Sequence, residues 1–150
     1  MSTFAEQNPV EQEHAGEDLA RGRVLAVHDS ICSLQPTGTD YRIDLVIKEQ
    51  SSAPMPEVGK RAKGRITAQA LRLHPATAGG CFIEPLDGPP RIVAGRIRRV
   101  DRQSRRLLVE AVLPFWIQLH SSDDPGQWEA GQMINCYVES GTSFAIDTSK

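Results

Sequence analysis

A basic β-hairpin is the strongest constraint on how this chain can fold. Residues 91–100 and 105–111 are two runs of β-branched and other apolar residues, joined by the short polar segment 101–104. Two such runs around a short polar turn are typical of paired antiparallel strands. Between residues 91 and 106 the segment contains seven arginines and one acid, Asp101. We therefore predict a strongly cationic, sheet-forming hairpin.

Short strands separated by glycine and proline account for the rest of the chain. Alternating apolar residues and turn signals predict further strands over residues 21–28, 41–48, 59–74, 80–84, 113–119, 132–139 and 144–146. Residues 29–40 are predicted to be turn-rich, and residues 49–58 a loop. Asp124, Pro125 and Gly131 have the spacing of an N-cap, a first helical residue and a stop signal, which predicts a short helix over 125–130. The fold class is therefore all-β, a small barrel or sandwich with one short helix.

The chain is predicted to contain two degenerate half-repeats, about 21–88 and 89–147. Gly22-Arg23-Val24 opens the first half and Gly95-Arg96-Ile97 opens the second, with nearly equal spacing to the next strand-opening glycine in each half. Repeated glycines allow the bends by which strands curl into a barrel. The alternative is coincidence, because any strand-rich chain shows some similarity of this kind.

The second half resembles an OB-fold. A basic first strand is followed by a second and a third strand, then by a short helix and by a strand that Gly131 opens. The resemblance covers about residues 90–146 and, more loosely, the first half, and it implies a small OB-like β-barrel. It concerns topology alone, so it transfers no functional residue. The arrangement is also similar to that of uncharacterised bacterial small β-barrel proteins, which implies no activity.

Charge divides the chain into an acidic arm and a mildly basic domain. The whole chain has 17 basic and 19 acidic residues, so it exerts no strong overall attraction on nucleic acid or anionic membranes. Residues 1–20 contain five acids and no lysine or arginine, which leaves 17 basic and 14 acidic residues for the remainder. This composition predicts a disordered arm over 1–20 and a single domain over 21–147.

Enzyme chemistry, cofactors and membrane insertion find little support in the sequence. No GxSxG, P-loop or HExxH motif is present, and we predict a non-enzymatic protein without cofactor or metal. A metal site would require His28, His74 and His120 to converge. The cysteines Cys32, Cys81 and Cys136 have no ligand spacing and are predicted to be buried, reduced thiols of a cytoplasmic protein. No secretion signal or apolar run of membrane-spanning length is visible.

The basic residues predict a binding module for nucleic acid or another polyanion. Guanidinium groups bind phosphate in a forked geometry, and a second basic group opens the strand at residue 59. The predicted polyanion-binding residues are Arg96, Arg98, Arg99, Arg102, Arg105, Arg106, Lys60, Arg61 and Lys63. The alternative is a solvated sheet surface whose arginines pair with nearby acids. The acidic arm could lie over the basic face and compete with an anionic partner, or serve simply as a solubilising tail.

A protein–protein interaction or assembly domain is the other functional class. In that interpretation, strand edges and the strand around Trp116 contact a partner chain. Salt separates the two classes, because polyanion binding weakens steeply with salt and an apolar contact does not. The sequence does not specify the oligomeric state.

Overall fold

The computed structural model is all-β, as predicted, and describes residues 16–48, 55–77 and 79–148. Within these residues there are eleven strands and a 3₁₀ turn, Pro125–Gln127. The strands are β1 (Ala20–His28), β2 (Ile31–Pro36), β3 (Arg42–Ile47), β4 (Arg61–Pro75), β5 (Phe82–Glu84), β6 (Asp87–Gly88), β7 (Ile92–Asp101), β8 (Arg106–Glu110), β9 (Pro114–Gln118), β10 (Met133–Val138) and β11 (Ser143–Ile146).

Strand β4 connects the whole sheet. Along its 15 residues it pairs antiparallel with β1, β11 and β10 and parallel with β9. The pairing order β1–β2–β3–β11–β4 returns to β1, and the order β4–β10–β7–β8–β9 returns to β4. The sheet therefore contains two closed cycles of strands that share β4.

Strand β2 lies where the sequence predicts a turn-rich segment, so that part of the prediction is wrong. β1 and β2 form a tight hairpin in which His28 pairs with Ile31. The two turn residues, Asp29 and Ser30, have φ angles of 48° and 66°, the left-handed values that a two-residue hairpin turn requires. Because neither residue is glycine or asparagine, the usual sequence signal of such a turn is absent.

A close glycine and a β-bulge bend both β1 and β7. A Cβ atom on Gly22 would lie 2.5 Å from a carbonyl oxygen of β2, and one on Gly95 would lie 2.7 Å from a carbonyl carbon of β8. Each strand then carries one extra residue, Leu25 in β1 and Arg98 in β7, where the register shifts. Bulges of this kind increase local twist and redirect side chains.

One hydrophobic core lies beneath both cycles. It takes fully buried side chains from both, among them Leu45 of β3, Ile66 of β4 and Phe115 of β9. Burying an aliphatic or aromatic side chain of this size stabilises the fold by about 1.5–3 kcal/mol. The core fixes the inward face of each strand and so determines which side chains point outward.

The predicted helix over 125–130 is a single 3₁₀ turn, Pro125–Gln127. Its start agrees with the sequence signal, because the Asp124 side chain accepts a hydrogen bond of 2.8 Å from the Gly126 amide. Its length was predicted wrongly, since Trp128 already has extended backbone angles. No helix within the described residues is long and apolar enough to cross a membrane.

The last five residues of the predicted arm belong to the folded structure. Residues 16–18 form a turn, and Ala20 opens β1 as a fully buried residue. The remainder of the predicted arm, residues 1–15, lies outside the described residues. Of the acidic side chains of the turn, Glu17 reaches the basic hairpin at Arg98 and Arg99, whereas Asp18 reaches Arg65 of β4 and Trp116 of β9.

Candidate functional site

Arg105 fastens the basic hairpin to the rest of the protein. Its φ angle is 59°, and its Nη2 donates to the backbone carbonyls of His120, Ser121 and Asp123 at 3.0, 3.4 and 2.5 Å. All three bonds use the two N–H groups of Nη2, which leaves the three N–H groups of Nε and Nη1 as further donors. The structure therefore engages Nη2 of Arg105 internally, and the polyanion contact that the sequence predicts for Arg105 stays a prediction.

Two other hairpin arginines also have internal partners. Arg96 donates to the Gly131 carbonyl at 2.8 Å, and Arg106 Nε donates to Ser104 Oγ at 3.0 Å. Arg102 is exposed at the hairpin tip, and its side chain has no hydrogen-bond or ion-pair partner within the described part of the chain. Of these three residues, Arg102 is therefore the most available to a ligand.

The bulge in β7 brings two arginines to one acid. Simple alternation would place Arg98 and Arg99 on opposite faces of the strand. Instead, Arg98 Nε lies 3.5 Å from Glu17 Oε1, and Arg99 Nη1 lies 3.9 Å from Glu17 Oε2. The Glu17 side chain is 16% exposed, against 47% and 38% for the two arginines. A carboxylate from the predicted arm therefore lies where the sequence predicts an external anion.

Trp116 is the centre of a buried cluster on the outer face of β9. Its neighbours Phe115 and Ile117 face the core, whereas Trp116 faces the opposite way and is still only 4% exposed. The guanidinium carbons of Arg99 and Arg106 lie 5.5 and 4.3 Å from its ring centroid, within cation–π range. We call Asp18, Arg65, Arg99, Arg106 and Trp116 the Trp116 cluster.

Asp18 connects Trp116 and Arg65 within the Trp116 cluster. Its Oδ2 accepts hydrogen bonds of 2.9 Å from both Trp116 Nε1 and Arg65 Nε, and Arg65 Nη1 donates to Asp147 at 3.1 Å. Burial raises the pKa of Asp18, but the hydrogen bonds from Trp116 and Arg65 and the charge of Arg65 outweigh it, so the pKa lies below its usual value. Asp18 is therefore held as a carboxylate against the indole edge.

Glu110 shows that the hairpin also holds an acid. Burial raises the pKa of this carboxyl, the charge of Arg98 lowers it, and the charge of Glu17 raises it, with the net pKa above the usual value. The guanidinium of Arg98 is thus placed near two carboxyl groups. This surface is therefore a mixed-charge network, not a purely cationic one.

Four cations form like-charge cross-strand pairs on β1 and β4. Arg21 lies directly opposite Lys63, and Arg23 lies directly opposite Arg61. Directly opposite side chains project from the same face of an antiparallel pair and have Cβ atoms about 4.5–5.5 Å apart. None of the four has a side-chain hydrogen bond or ion pair within the residues that the structure describes. We call these four residues the β1–β4 cation square.

The β1–β4 cation square borders two adjoining clefts. The larger, of about 670 Å³, is lined by Arg21, Lys60, Arg61 and Lys63 and also by the apolar residues Met55, Pro56, Ala62 and Ile146. Its acidic lining residues are Glu57 and Asp147, the latter bound to Arg65. The smaller, of about 330 Å³, is lined by Arg23, Arg61 and the turn Thr37-Gly38-Thr39. Arg61 and Thr37 belong to both clefts.

The predicted residues Lys60, Arg61 and Lys63 are therefore brought together, and two residues that the prediction omitted join them. Arg21 and Arg23 flank Gly22, which faces inward. Outward alternation of Arg21 and Arg23 was visible in the sequence. Their pairing with β4 was not, because strand register across a sheet is set by contacts distant in the chain.

The cysteines differ from one another. Cys32 and Cys136 are buried, as predicted, but Cys81 is exposed, so the prediction of three buried thiols is wrong for Cys81. Burial, with a contribution from Asp44, raises the pKa of Cys32 to about 11. Burial raises the pKa of Cys136 to about 12. The two buried thiols are therefore held protonated near neutral pH.

The three histidines considered as metal ligands have separate neighbours. His28 contacts Asp29 at 3.0 Å, His120 contacts Ser122 at 3.0 Å, and the ring of His74 lies 6.0 Å from that of Tyr137. Among the described residues, no group of three or more His, Cys, Asp or Glu side chains could hold a metal ion.

The strand around Trp116 offers no free edge to a partner chain. β9 pairs with β8 on one side, where Trp116 is opposite Leu108, and with β4 on the other, where it is opposite Thr67. Pro114 stands at the entrance of the strand, one of the two positions predicted for it.

Comparison with known proteins does not assign the surfaces described above. No protein-family model matches the sequence, and no curated protein shows significant similarity to it.

Proposed function

We propose that this protein is a non-enzymatic binding module for polyanions, with nucleic acid as the ligand to test first. The observation that carries the proposal is the β1–β4 cation square. Like charges directly opposite on neighbouring strands are destabilising, and none of these four has an acidic partner within the described residues. An ordinary solvated sheet face would be expected to pair at least some of them. A phosphate backbone would supply the missing negative charge.

The hairpin contributes a smaller share of the proposed surface. Arg102 is exposed, and Arg98 and Arg99 are held by Glu17 at more than 3 Å through partly exposed ion pairs. Solvent screens the two partly exposed guanidinium groups and so weakens these ion pairs, and a polyanion could therefore replace the Glu17 carboxylate. We therefore retain the predicted competition between the acidic segment and an anionic partner. Changing Glu17 to Gln should increase polyanion affinity if this competition operates.

The proposed architecture is the OB-like barrel of the sequence prediction, built from two half-repeats. Three observations support it: the two closed strand cycles, the close approaches at Gly22 and Gly95, and the bulges at Leu25 and Arg98, each three residues after its glycine. The cation square belongs to the first half alone. The corresponding pair in β7 and β10 is Arg96 opposite Met133.

Oligonucleotide binding tests the proposed function. Labelled single- and double-stranded oligonucleotides would be titrated with the full-length protein at about 50 and 200 mM salt. We expect binding that weakens with salt. The variant Arg23→Ser/Arg61→Ser should weaken it and, for single strands, reduce the slope of log K against log salt by about 1.4 if both side chains contact phosphates.

A matched control removes two charges elsewhere. Arg42 and Arg72 are exposed arginines outside the β1–β4 cation square, so Arg42→Ser/Arg72→Ser changes the net charge equally. It should reduce affinity less than the Arg23/Arg61 variant. Absence of binding at about 50 mM salt, or equal losses in the two double variants, would contradict the proposal.

An apolar groove supports protein binding as the second candidate function. A cleft of about 680 Å³ is lined by Leu71, Leu86, Ile92 and Tyr137, and Leu71 and Leu86 are each 55% exposed. Exposed apolar side chains around a concave surface are typical of interaction sites. Self-association or partner binding that persists at high salt and is lost in Leu71→Asp/Leu86→Asp would favour this function over the first.

A further inference from the structure

The larger cleft beside the β1–β4 cation square has a lining of two chemical kinds. Its cationic side chains are those of Arg21, Lys60, Arg61 and Lys63, and its apolar residues, which we call the apolar wall, are Met55, Pro56, Ala62 and Ile146. Met55 is 56% exposed. An apolar side chain left open to water in a cleft is a favourable surface for a flat heterocycle. The cleft thus places an apolar surface beside a cationic one.

The size of the cleft fits a small molecule better than a polymer. A volume of about 670 Å³ lies within the range of about 300–1,000 Å³ that is usual for small-molecule and cofactor sites. The adjoining cleft of about 330 Å³ shares Arg61 and Thr37 with it. We call the two clefts, which share these lining residues, the recess.

The charges within the recess favour several phosphates over one. Five cationic side chains surround it, and none has a hydrogen-bonded or ion-paired side-chain partner among the described residues. Two carboxylates also lie there, Glu57 and Asp147, and Asp147 is bound to Arg65 at 3.1 Å. The opposed pair Arg23 and Arg61 is suited to a chain of linked phosphates, because each guanidinium presents a planar fork of donors.

We propose that this recess is a binding site for a nucleoside di- or triphosphate. The phosphate chain lies across Arg23, Arg61 and Lys63, and the base packs on the apolar wall at Met55 and Pro56. The inference rests on the proposed function to the extent that both use the β1–β4 cation square. It differs in naming a small ligand that requires the apolar wall as well.

The first test compares three probes with the full-length protein at about 50 mM salt, using calorimetry or a thermal-shift assay. ATP should bind saturably with a Kd below about 1 mM, tripolyphosphate at least tenfold more weakly, and adenosine more weakly still. A saturable ATP signal with this order supports the proposal. A Kd for ATP above about 1 mM, measured by titration to about 10 mM, or an affinity for tripolyphosphate within about tenfold of that for ATP, would overturn it.

Two variants test whether Arg61 contacts the phosphates and whether Met55 contacts the base. Arg61→Ser should weaken ATP and tripolyphosphate binding at least tenfold, whereas Met55→Ser should weaken ATP binding and leave tripolyphosphate binding unchanged. Both side chains are exposed, so both variants should fold, and thermal unfolding checks this. Arg42→Ser, at an exposed arginine outside the recess and outside the proposed polyanion surface, is the control and should bind ATP as the wild type does. ATP binding that is insensitive to Arg61→Ser would contradict the assigned site.

The two proposals fail separately. ATP binding without oligonucleotide binding would retain this site and reject the nucleic-acid function. Oligonucleotide binding without ATP binding would reject this site and leave the proposed function in place. Loss of oligonucleotide binding on adding ATP would support both, because it requires the two ligands to share the β1–β4 cation square.

Discussion

Removing the Asp18 carboxylate should destabilise the protein measurably. In Asp18→Ala, the indole nitrogen of Trp116 and the guanidinium of Arg65 each lose a 2.9 Å hydrogen bond to a charged acceptor. Hydrogen bonds to charged groups contribute about 1.5–3 kcal/mol each. The hydrogen bond from Arg65 contributes less to this loss of stability, because the Arg65 side chain is 45% exposed and keeps its ion pair with Asp147.

We expect a loss of about 2 kcal/mol in the free energy of unfolding, dominated by the buried indole N–H. For a chain of this size, the melting temperature should fall by about 4–8 °C. Urea unfolding gives the free energy, and acrylamide quenching of tryptophan fluorescence should increase because Asp18 caps the indole edge. Asp87→Ala is the control, since Asp87 is 74% exposed and lies 3.9 Å from Arg42. If Asp18→Ala were as stable as Asp87→Ala, Asp18 would not hold the Trp116 cluster together.

The same carboxylate predicts a pH dependence. Its pKa in the folded protein lies below the ordinary value of 3.8, so the unfolded state binds more protons in acid and this contribution to stability rises with pH. The contribution is complete above pH 3.8 and disappears as the pH falls through the folded-state pKa. The stability difference between wild type and Asp18→Asn should therefore be constant near pH 6 and shrink towards pH 3. A difference that grew in acid would refute the assignment.

The remaining predictions concern the backbone and the thiols. Gly95→Ala should destabilise the protein by more than about 3 kcal/mol or prevent folding, because the new Cβ would meet the β8 backbone, which cannot move without breaking the ladder. Gly80→Ala, with nothing within 4 Å of the new Cβ, is the control and should change the free energy of unfolding by less than about 0.5 kcal/mol. Equal losses of this free energy in the two glycine variants, measured by urea unfolding, would contradict the prediction. A thiol reagent at pH 8 should modify Cys81 rapidly and Cys32 and Cys136 only after denaturation, and rapid modification of all three would contradict their burial.

The all-β fold and most strands were predictable because their signals are local. Apolar alternation and flanking turn residues indicate a strand wherever one face is buried, and this placed the β7–β8 hairpin correctly. β2 was missed because its turn, Asp29-Ser30, uses left-handed backbone angles without glycine or asparagine. The 3₁₀ turn at Pro125 began as predicted, but no local signal in the sequence showed that it would end after one turn.

The candidate site was less predictable, because the number of arginines in a segment does not show which of them have hydrogen-bond partners within the protein. Arg105 and Arg102 are three residues apart in one hairpin and look equivalent in the sequence. One donates to three carbonyls of residues 120–123, and the other has no side-chain partner among the described residues. Those carbonyls come from a loop that only the folded topology brings to the hairpin. Arg21 and Arg23 were overlooked for the converse reason, since their like-charged neighbours are about 40 residues away in sequence.

The β1–β4 cation square connects stability with binding. Opposing Arg21 to Lys63 and Arg23 to Arg61 costs free energy in the unliganded protein, whereas Arg96 of β7, which lies opposite Met133 of β10, avoids this repulsion. A bound anion would offset the repulsion and stabilise the folded state by an amount that grows with the logarithm of its concentration above Kd. Local repulsion that a ligand relieves is typical of a binding surface. A purely structural face gains nothing from it. The square, whose side chains have no acidic partner among the described residues, therefore supports the proposed binding function more than the larger number of arginines in the hairpin does.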